Sequence, residues 1–150
     1  VERSRGLGDV YKRQNMGKVI GLHNGAHFFT IGQRKGLSIG GMKEPLFVLA
    51  TDTNKNIIYV GEGENHPGLY RFSLRVKKTK MHNVVDKLDF SNYQSLTARI
   101  RYRQPLQKVD IKLMSKHNLI YLDQKQKSIA KGQFIAIYND DNLISSGVIE

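Results

Sequence analysis

The chain has 150 residues, 39% of them apolar, with 24 Lys and Arg against 13 Asp and Glu, and neither Cys nor Trp. That length suits one domain or two small ones with a real core, and the composition excludes collagen-like, disulfide-stapled and coiled-coil classes. Without cysteine the chain offers no thiolate nucleophile, no disulfide, no Cys-ligated zinc and no persulfide, so any sulfur chemistry sits elsewhere.

No apolar run approaches the roughly 18–20 residues that span a bilayer, and the N-terminus lacks a signal-peptide core. A cytoplasmic protein with no membrane partner is therefore expected. The net charge of +11 is uneven: Arg71 to Lys131 holds 15 Lys and Arg but 4 Asp and Glu. Such a field raises encounter with polyanions and is discharged by counterion release, which makes nucleic acid the first partner to consider. The plain alternative is a solvated basic face that serves only solubility.

In chain order, residues 1–14 (VERSRGLGDVYKRQ) show no strand or helix periodicity and read as a translated linker, so residues 1–15 are assigned to a non-native leader outside the fold. A short strand is expected over Lys18–Gly21, then His23–Thr30, too short for more than two helical turns. Gly32, Gly36, Gly40 and Gly41 punctuate the next stretch. Phe47–Asp52 and Ile57–Gly61, apolar and β-branched around the turn-rich Thr53-Asn54-Lys55-Asn56, predict a hairpin. His66-Pro67-Gly68 breaks the chain and divides a central domain, 16–67, from a second, 68–150.

Beyond that break, Phe72, Leu74 and Val76 alternate with polar residues. So do Ala98, Ile100 and Tyr102, and so do Val109, Ile111 and Leu113. Period-2 alternation buries one face of a strand. Leu119–Leu122, Gln133–Tyr138 and Leu143–Ile149 add further strands, and about six short strands imply a small closed barrel or a sandwich.

Arg99, Arg101 and Arg103 fall at alternate positions of one expected strand and would project from one face about 6.6 Å apart. Guanidinium forks pair with phosphate oxygens, while Tyr102 and Gln104 offer stacking and amide contacts. A wet strand face with Tyr102 buried is the competing reading. Thr30–Leu37 (TIGQRKGL) sets Gln33, Arg34 and Lys35 between two glycines, cations fit for an anion or for an ordinary surface loop. It lacks the Gly-Lys-Ser/Thr ending of a phosphate-binding loop. His23 and His27 share a face only on a helical turn and have no acid between them, so no metal site is expected. Glu62 with Glu64, and Asp140 with Asp141, are solvated turn acids. Ser145-Ser146-Gly147 lacks the frame of a nucleophile elbow, and no catalytic residue is assigned.

Taken together and in order, Gly17-Lys18-Val19-Ile20-Gly21, His23-Asn24-Gly25, Thr30–Leu37, Ile39-Gly40-Gly41, Phe47-Val48 before Asp52, Asn56 and Val60, Ile100–Gln104, Lys131-Gly132-Gln133 before Ala136 and Tyr138, and Gly147-Val148-Ile149 resemble the central and C-terminal portion of tRNA-specific 2-thiouridylases, the MnmA/TrmU family. The resemblance covers about residues 16–150. It implies a mainly β protein: a small central α+β or hairpin domain, then a C-terminal six-stranded antiparallel β-barrel. It also implies tRNA as partner, with Arg101, Tyr102 and Gln133 as tRNA-contacting positions. Arg99, Arg103 and Gln104 extend that set, and Arg34 and Lys35 form a basic loop facing RNA or a further domain.

The family's enzyme activates a wobble uridine with ATP and magnesium and takes sulfur from a persulfide donor protein through two cysteines. The resemblance therefore implies a fragment that holds tRNA, carries no cofactor of its own and is inactive alone. Ser145-Ser146 depart from the family's glycines, which puts the close packing of that last turn in question. A free-standing RNA- or ribosome-binding barrel without enzymatic activity, or a small intact enzyme, are the competing functions.

Overall fold

A computed structural model describes residues 7–12 and 15–150, with side chains from Val19 onward. The chain divides between Tyr70 and Arg71 into two compact units, each with its own core.

In the first unit, β1 (Leu7–Lys12), β2 (Asn15–Lys18), β3 (Leu46–Asp52) and β4 (Ile57–Glu62) form one sheet in the order β2-β1-β4-β3. The hairpin β3–β4 is the one expected. Its turn closes where Asn56 adopts a left-handed φ of 55° and the Asp52 carboxylate accepts from Lys55 N at 2.9 Å. The side chain of Asn56 does a second job, accepting from Ala26 N at 2.7 Å and tying the 3-10 turn Ala26–Phe28 to the sheet. Alternation along β3 feeds two cores: Leu46 and Val48 pack with Ile58, Val60, Ala26 and Leu37, while Phe47 and Leu49 pack with Leu69.

Two expectations change here. β1 lies within the segment assigned to a leader outside the fold, yet it pairs in parallel with β4 and antiparallel with β2. Gly8 and Asp9 interrupt any apolar alternation, and parallel pairing to a distant strand leaves no local period. The rest of that segment, residues 1–6 and 13–14, lies outside the described residues. The strand expected over Lys18–Gly21 instead ends at Lys18.

The second unit is a closed antiparallel barrel. Its strands are β5 (Tyr70–Asn83), β6 (Leu96–Arg99), β7 (Gln107–Leu113), β8 (His117–Lys127), β9 (Phe134–Asn139) and β10 (Asn142–Ile149). They run round the barrel as β10-β5-β8-β7-β6-β9. Leu74, Val76, Ala98, Val109, Ile120, Leu122, Ile135, Ile137 and Ile149 fill its interior, as six strands of alternating residues require. His66-Pro67-Gly68, the expected break, lies at the 3-10 turn Pro67–Leu69 just before β5.

Phe72 shares the inward parity of Leu74 and Val76 but is 61% exposed rather than buried. The β5–β10 pair nearest to it joins Ile149 to Val76, and beyond that pair Glu150 N donates to Arg75 O at 2.9 Å. Ser145-Ser146 belong to β10 and not to a turn. Ser145 is fully buried and donates to Asn83 Oδ1 at 2.7 Å, and the close approach falls at Gly147, where a Cβ would lie 2.5 Å from Val76 Cγ1.

Glu150, its side chain 17% exposed, gathers Lys77 at 3.3 Å, Lys80 at 3.8 Å and His117 at 3.0 Å. Desolvation alone would raise its pKa. The hydrogen bonds and charges of Lys77 and His117 outweigh that and hold the carboxyl below its ordinary range. A depressed pKa contributes stability that is present above the unfolded value and lost as pH falls through the folded one.

Thermal melts from neutral pH down through and below the ordinary Glu value of about 4.3 will therefore show a falling midpoint, with a flatter slope in Glu150→Gln. In urea unfolding, Gly147→Ala will cost about 1–3 kcal/mol by overpacking. Gly132→Ala, at φ 85° with nothing within 4 Å of a Cβ, will cost about 1–2 kcal/mol from the left-handed backbone alone.

Candidate nucleic-acid interface

Because neighbouring barrel strands are antiparallel, the β6–β7 loop, the β8–β9 loop, the start of β5 and the end of β10 come to one end of the barrel. This end holds six of the eight residues singled out for RNA contact: Arg99, Arg101, Tyr102, Arg103, Gln104 and Gln133. Arg34 and Lys35 belong to the first unit.

The alternating arginine row does not exist as a strand. β6 stops at Arg99, and residues 100–104 form a turn. Gln104 causes the stop: its Oε1 accepts from Ile100 N at 3.1 Å and Arg101 N at 3.3 Å, which takes up donors that a continuing ladder would need. Its Nε2 donates to Gln126 Oε1. The three arginines consequently part ways.

Arg101 reaches across to the β8–β9 loop, where Nη2 donates to the carbonyls of Lys127 at 3.1 Å and Ser128 at 3.0 Å. Arg99 donates through Nη1 to Tyr102 O at 3.1 Å and through Nη2 to the Tyr138 hydroxyl at 3.0 Å. Its Cζ lies 5.6 Å from the Tyr102 ring centroid and 5.2 Å from that of Tyr138. Arg103 is exposed and, among the described residues, has no ion-pair partner. None of the three is locked onto a carboxylate. Tyr102, for which a buried position was the competing reading, is 86% exposed.

Gln133 closes a tight turn. Its N donates to Ala130 O at 3.3 Å, its Oε1 accepts from Ala130 N at 2.9 Å, and its O accepts from Ile149 N at 2.8 Å. The carboxamide oxygen is thus spent on the fold, and Nε2 is the group left to meet a ligand. Lys131 stands exposed on the same turn. It was not among the residues singled out from the sequence, although its place beside Gly132-Gln133 was a readable signal.

The first unit repeats this device. Gln33 accepts from Thr30 N at 3.1 Å, Gly32 has φ 86°, and Gln33 O accepts from Val48 N at 2.9 Å. Here Nε2 is also occupied, donating to Lys35 O at 2.9 Å. Arg34 and Lys35 are exposed on the loop, Arg34 beside a cleft of about 660 Å³ lined by residues 36–46.

His23 and His27 are not brought together: His23 Nδ1 accepts from Gly25 N at 3.0 Å, and His27 stacks on Phe28 at 4.1 Å. Among the described residues no group of three or more metal-capable side chains occurs, and no helix is long and apolar enough to cross a membrane.

Residues 3–62 match the model of the tRNA methyl transferase PRC-barrel domain, and residues 71–149 that of the aminomethyltransferase beta-barrel domain. The chain is 48% identical over 139 residues to the tRNA-specific 2-thiouridylase MnmA of Flavobacterium johnsoniae, covering 91% of this chain and 35% of the relative. The MnmA of Christiangramia forsetii is 48% identical over 135 residues, 89% of this chain and 34% of that protein. That of Halalkalibacterium halodurans is 39% identical over 135 residues, 89% and 36%.

The chain belongs to the tRNA-specific 2-thiouridylase family. It spans about a third of the length of these curated relatives and matches their C-terminal part. Membership in the thiouridylase family was legible in the sequence, and so was the mainly β architecture with its six-stranded barrel.

The different partners of the arginines make a stability prediction. Arg101→Ala will lose about 0.5–1.5 kcal/mol in urea unfolding, since two loop carbonyls exchange a guanidinium for water. Arg103→Ala will change stability by less than about 0.5 kcal/mol.

Proposed function

We propose that this chain is the tRNA-holding part of a tRNA-uridine 2-sulfurtransferase and contributes binding, not chemistry. The observation that carries the reading is the barrel end: Arg103, Lys131 and the free Gln133 amide nitrogen stand around an exposed Tyr102, on a fold whose relatives are named thiouridylases. Cations without ion-pair partners retain the full counterion-release gain on meeting phosphate. The Gln133 amide donates to phosphate or ribose oxygen without reading a base, so this contact positions the RNA and does not select a sequence. Arg34 and Lys35, exposed on the first unit's loop, present two further cations to RNA or to another part of the whole protein.

We assign the whole protein's ATP with magnesium, its sulfur carriers and its persulfide donor to parts of it other than this chain. The Gly32–Gly36 loop lacks a phosphate-binding ending, no metal cluster occurs among the described residues, and the chain has no cysteine. We assign the complete protein to the cytoplasm, where its tRNA substrate resides.

Fluorescence anisotropy with labelled tRNA tests this. Between about 50 and 200 mM salt the affinity will fall about tenfold or more, and Arg103→Ala and Lys131→Ala will each lower the salt slope by about one. The chain alone will show no ATP-dependent thiolation. Salt-independent or absent tRNA binding, or measurable thiolation turnover, would overturn the proposal.

A further inference from the structure

The two ends of the barrel differ in chemistry. The end opposite the candidate interface is made by the 84–95 loop, the β7–β8 turn at 114–116 and the β9–β10 turn at 140–141. Val84, Val85, Leu113, Met114 and Leu143 stand out on it, each between 37% and 56% exposed. Single exposed apolar residues are ordinary, but five at one barrel end form a patch, and patches mark interaction sites. The patch is held in place. Val84 N donates to Ile144 O at 2.9 Å and Met114 N to His117 O at 2.9 Å, while Asn118, paired with Leu113, reaches Met81 Sδ on β5 at 2.9 Å.

Beside it opens a cleft of about 310 Å³, lined by Phe90, Tyr93, Ile111, Leu113 and, among its polar residues, Asp110. That volume lies at the bottom of the range for small-molecule sites, about 300–1,000 Å³, and suits one or two anchoring side chains of a protein.

This end also collects acid. Asp86, Asp89, Asp110, Asp140 and Asp141 are five of the seven acidic residues between Arg71 and Glu150, against Lys87, Lys112 and Lys116, three of the fifteen Lys and Arg. All five aspartates are exposed. Asp89 accepts from Ser91 Oγ at 2.7 Å and Ser91 N at 2.9 Å, which holds its carboxyl below the usual range and keeps it charged. Phosphate is repelled here. A second copy turned end to end would set the same carboxylates against one another, because a two-fold interface meets itself.

We propose that this end of the barrel docks a separate protein, through a segment that carries an aliphatic or aromatic anchor flanked by Lys or Arg. The anchor enters the cleft at Phe90 and Tyr93, Val84 and Leu113 exclude water around it, and the aspartates meet the flanking cations. Permanent interfaces are more apolar than this mixed rim, so the partner comes and goes. The proposal goes beyond RNA binding and does not depend on it: one end of the barrel holds RNA while the other stays open to the partner.

The probe is a library of randomised peptides displayed on phage, selected on the immobilised full chain at physiological salt, with one selected peptide then made with a fluorescent label. Enriched sequences will combine Leu, Ile, Phe or Trp with Lys or Arg, although the chain itself carries +11. In a ¹⁵N–¹H map that peptide will shift amides of residues 84–95, 110–117 and 140–143 and leave 99–104 and 130–134 unmoved. Val84→Ser with Leu113→Ser, both at exposed positions, will weaken peptide binding about tenfold and leave tRNA affinity unchanged. Asp86→Asn with Asp141→Asn will flatten the salt dependence of peptide binding.

Enrichment of acidic peptides, no enrichment over the variant with Val84→Ser and Leu113→Ser, or shifts confined to 99–104 and 130–134 would overturn the proposal. A concentration-dependent dimer in sedimentation that Leu113→Ser abolishes would do the same by making the occupant a second copy. Enrichment of sequences found in the unmatched part of the MnmA relatives would make the occupant the rest of the complete protein, again against the proposal. A chain that binds such peptides at this end but binds no tRNA would keep this proposal and lose the RNA-holding reading.

Discussion

The contact on which the candidate interface depends is the one between Arg101 and the carbonyls of Lys127 and Ser128. Barrel closure brings the β6–β7 and β8–β9 loops to the same end, but antiparallel topology alone leaves both as open excursions. One guanidinium nitrogen shared by two carbonyls closes them on each other, and Gln104 with Gln126 adds a second tie between the same segments. Loop carbonyls normally satisfied by water become fixed points of a surface. The geometry that displays Tyr102, Arg103 and Lys131 follows from that closure.

The same economy of polar groups appears in both units. A Gly-Gln turn, its glycine at positive φ and its glutamine side chain accepting from the residue three back, is pinned to β3 in the first unit and to β10 in the second. Each turn carries lysine or arginine on its exposed side because the glutamine and glycine do the structural task locally. Net charge is a poor guide to which cations are available: Lys77 and Lys80 are drawn to Glu150, and Arg99 and Arg101 are consumed by carbonyls and rings. Of the row that looked uniform in sequence, Arg99 and Arg101 direct guanidinium donors onto carbonyls, while among the described residues none of the three pairs with a carboxylate.

Much of the fold was legible because the barrel buries one face of every strand. Ile135 and Ile137, Leu74 and Val76, and Ile120 and Leu122 announce themselves by parity, and the hairpin by Thr53–Asn56. What escaped detection was settled by partners far along the chain. β1 pairs in parallel with β4, which lies far along the chain. The end of β6 at Arg99 is dictated by a glutamine side chain five residues on. Alternation of Ala98, Ile100 and Tyr102 continues past the strand end, so periodicity extended a strand that hydrogen bonding had already closed. Six of the eight residues singled out in the sequence lie at one barrel end, but which of them hold the loops and which stand exposed needed the distances.

The most direct test of this account is a ¹⁵N–¹H map of the chain titrated with tRNA. If the clasped barrel end is the docking surface, the amides that shift or broaden will cluster at residues 99–104 and 130–134, with the opposite end, around residues 84–95, 113–117 and 140–143, unmoved. Shifts centred on that opposite end, or spread evenly over the barrel's basic strands with residues 99–104 silent, would contradict it.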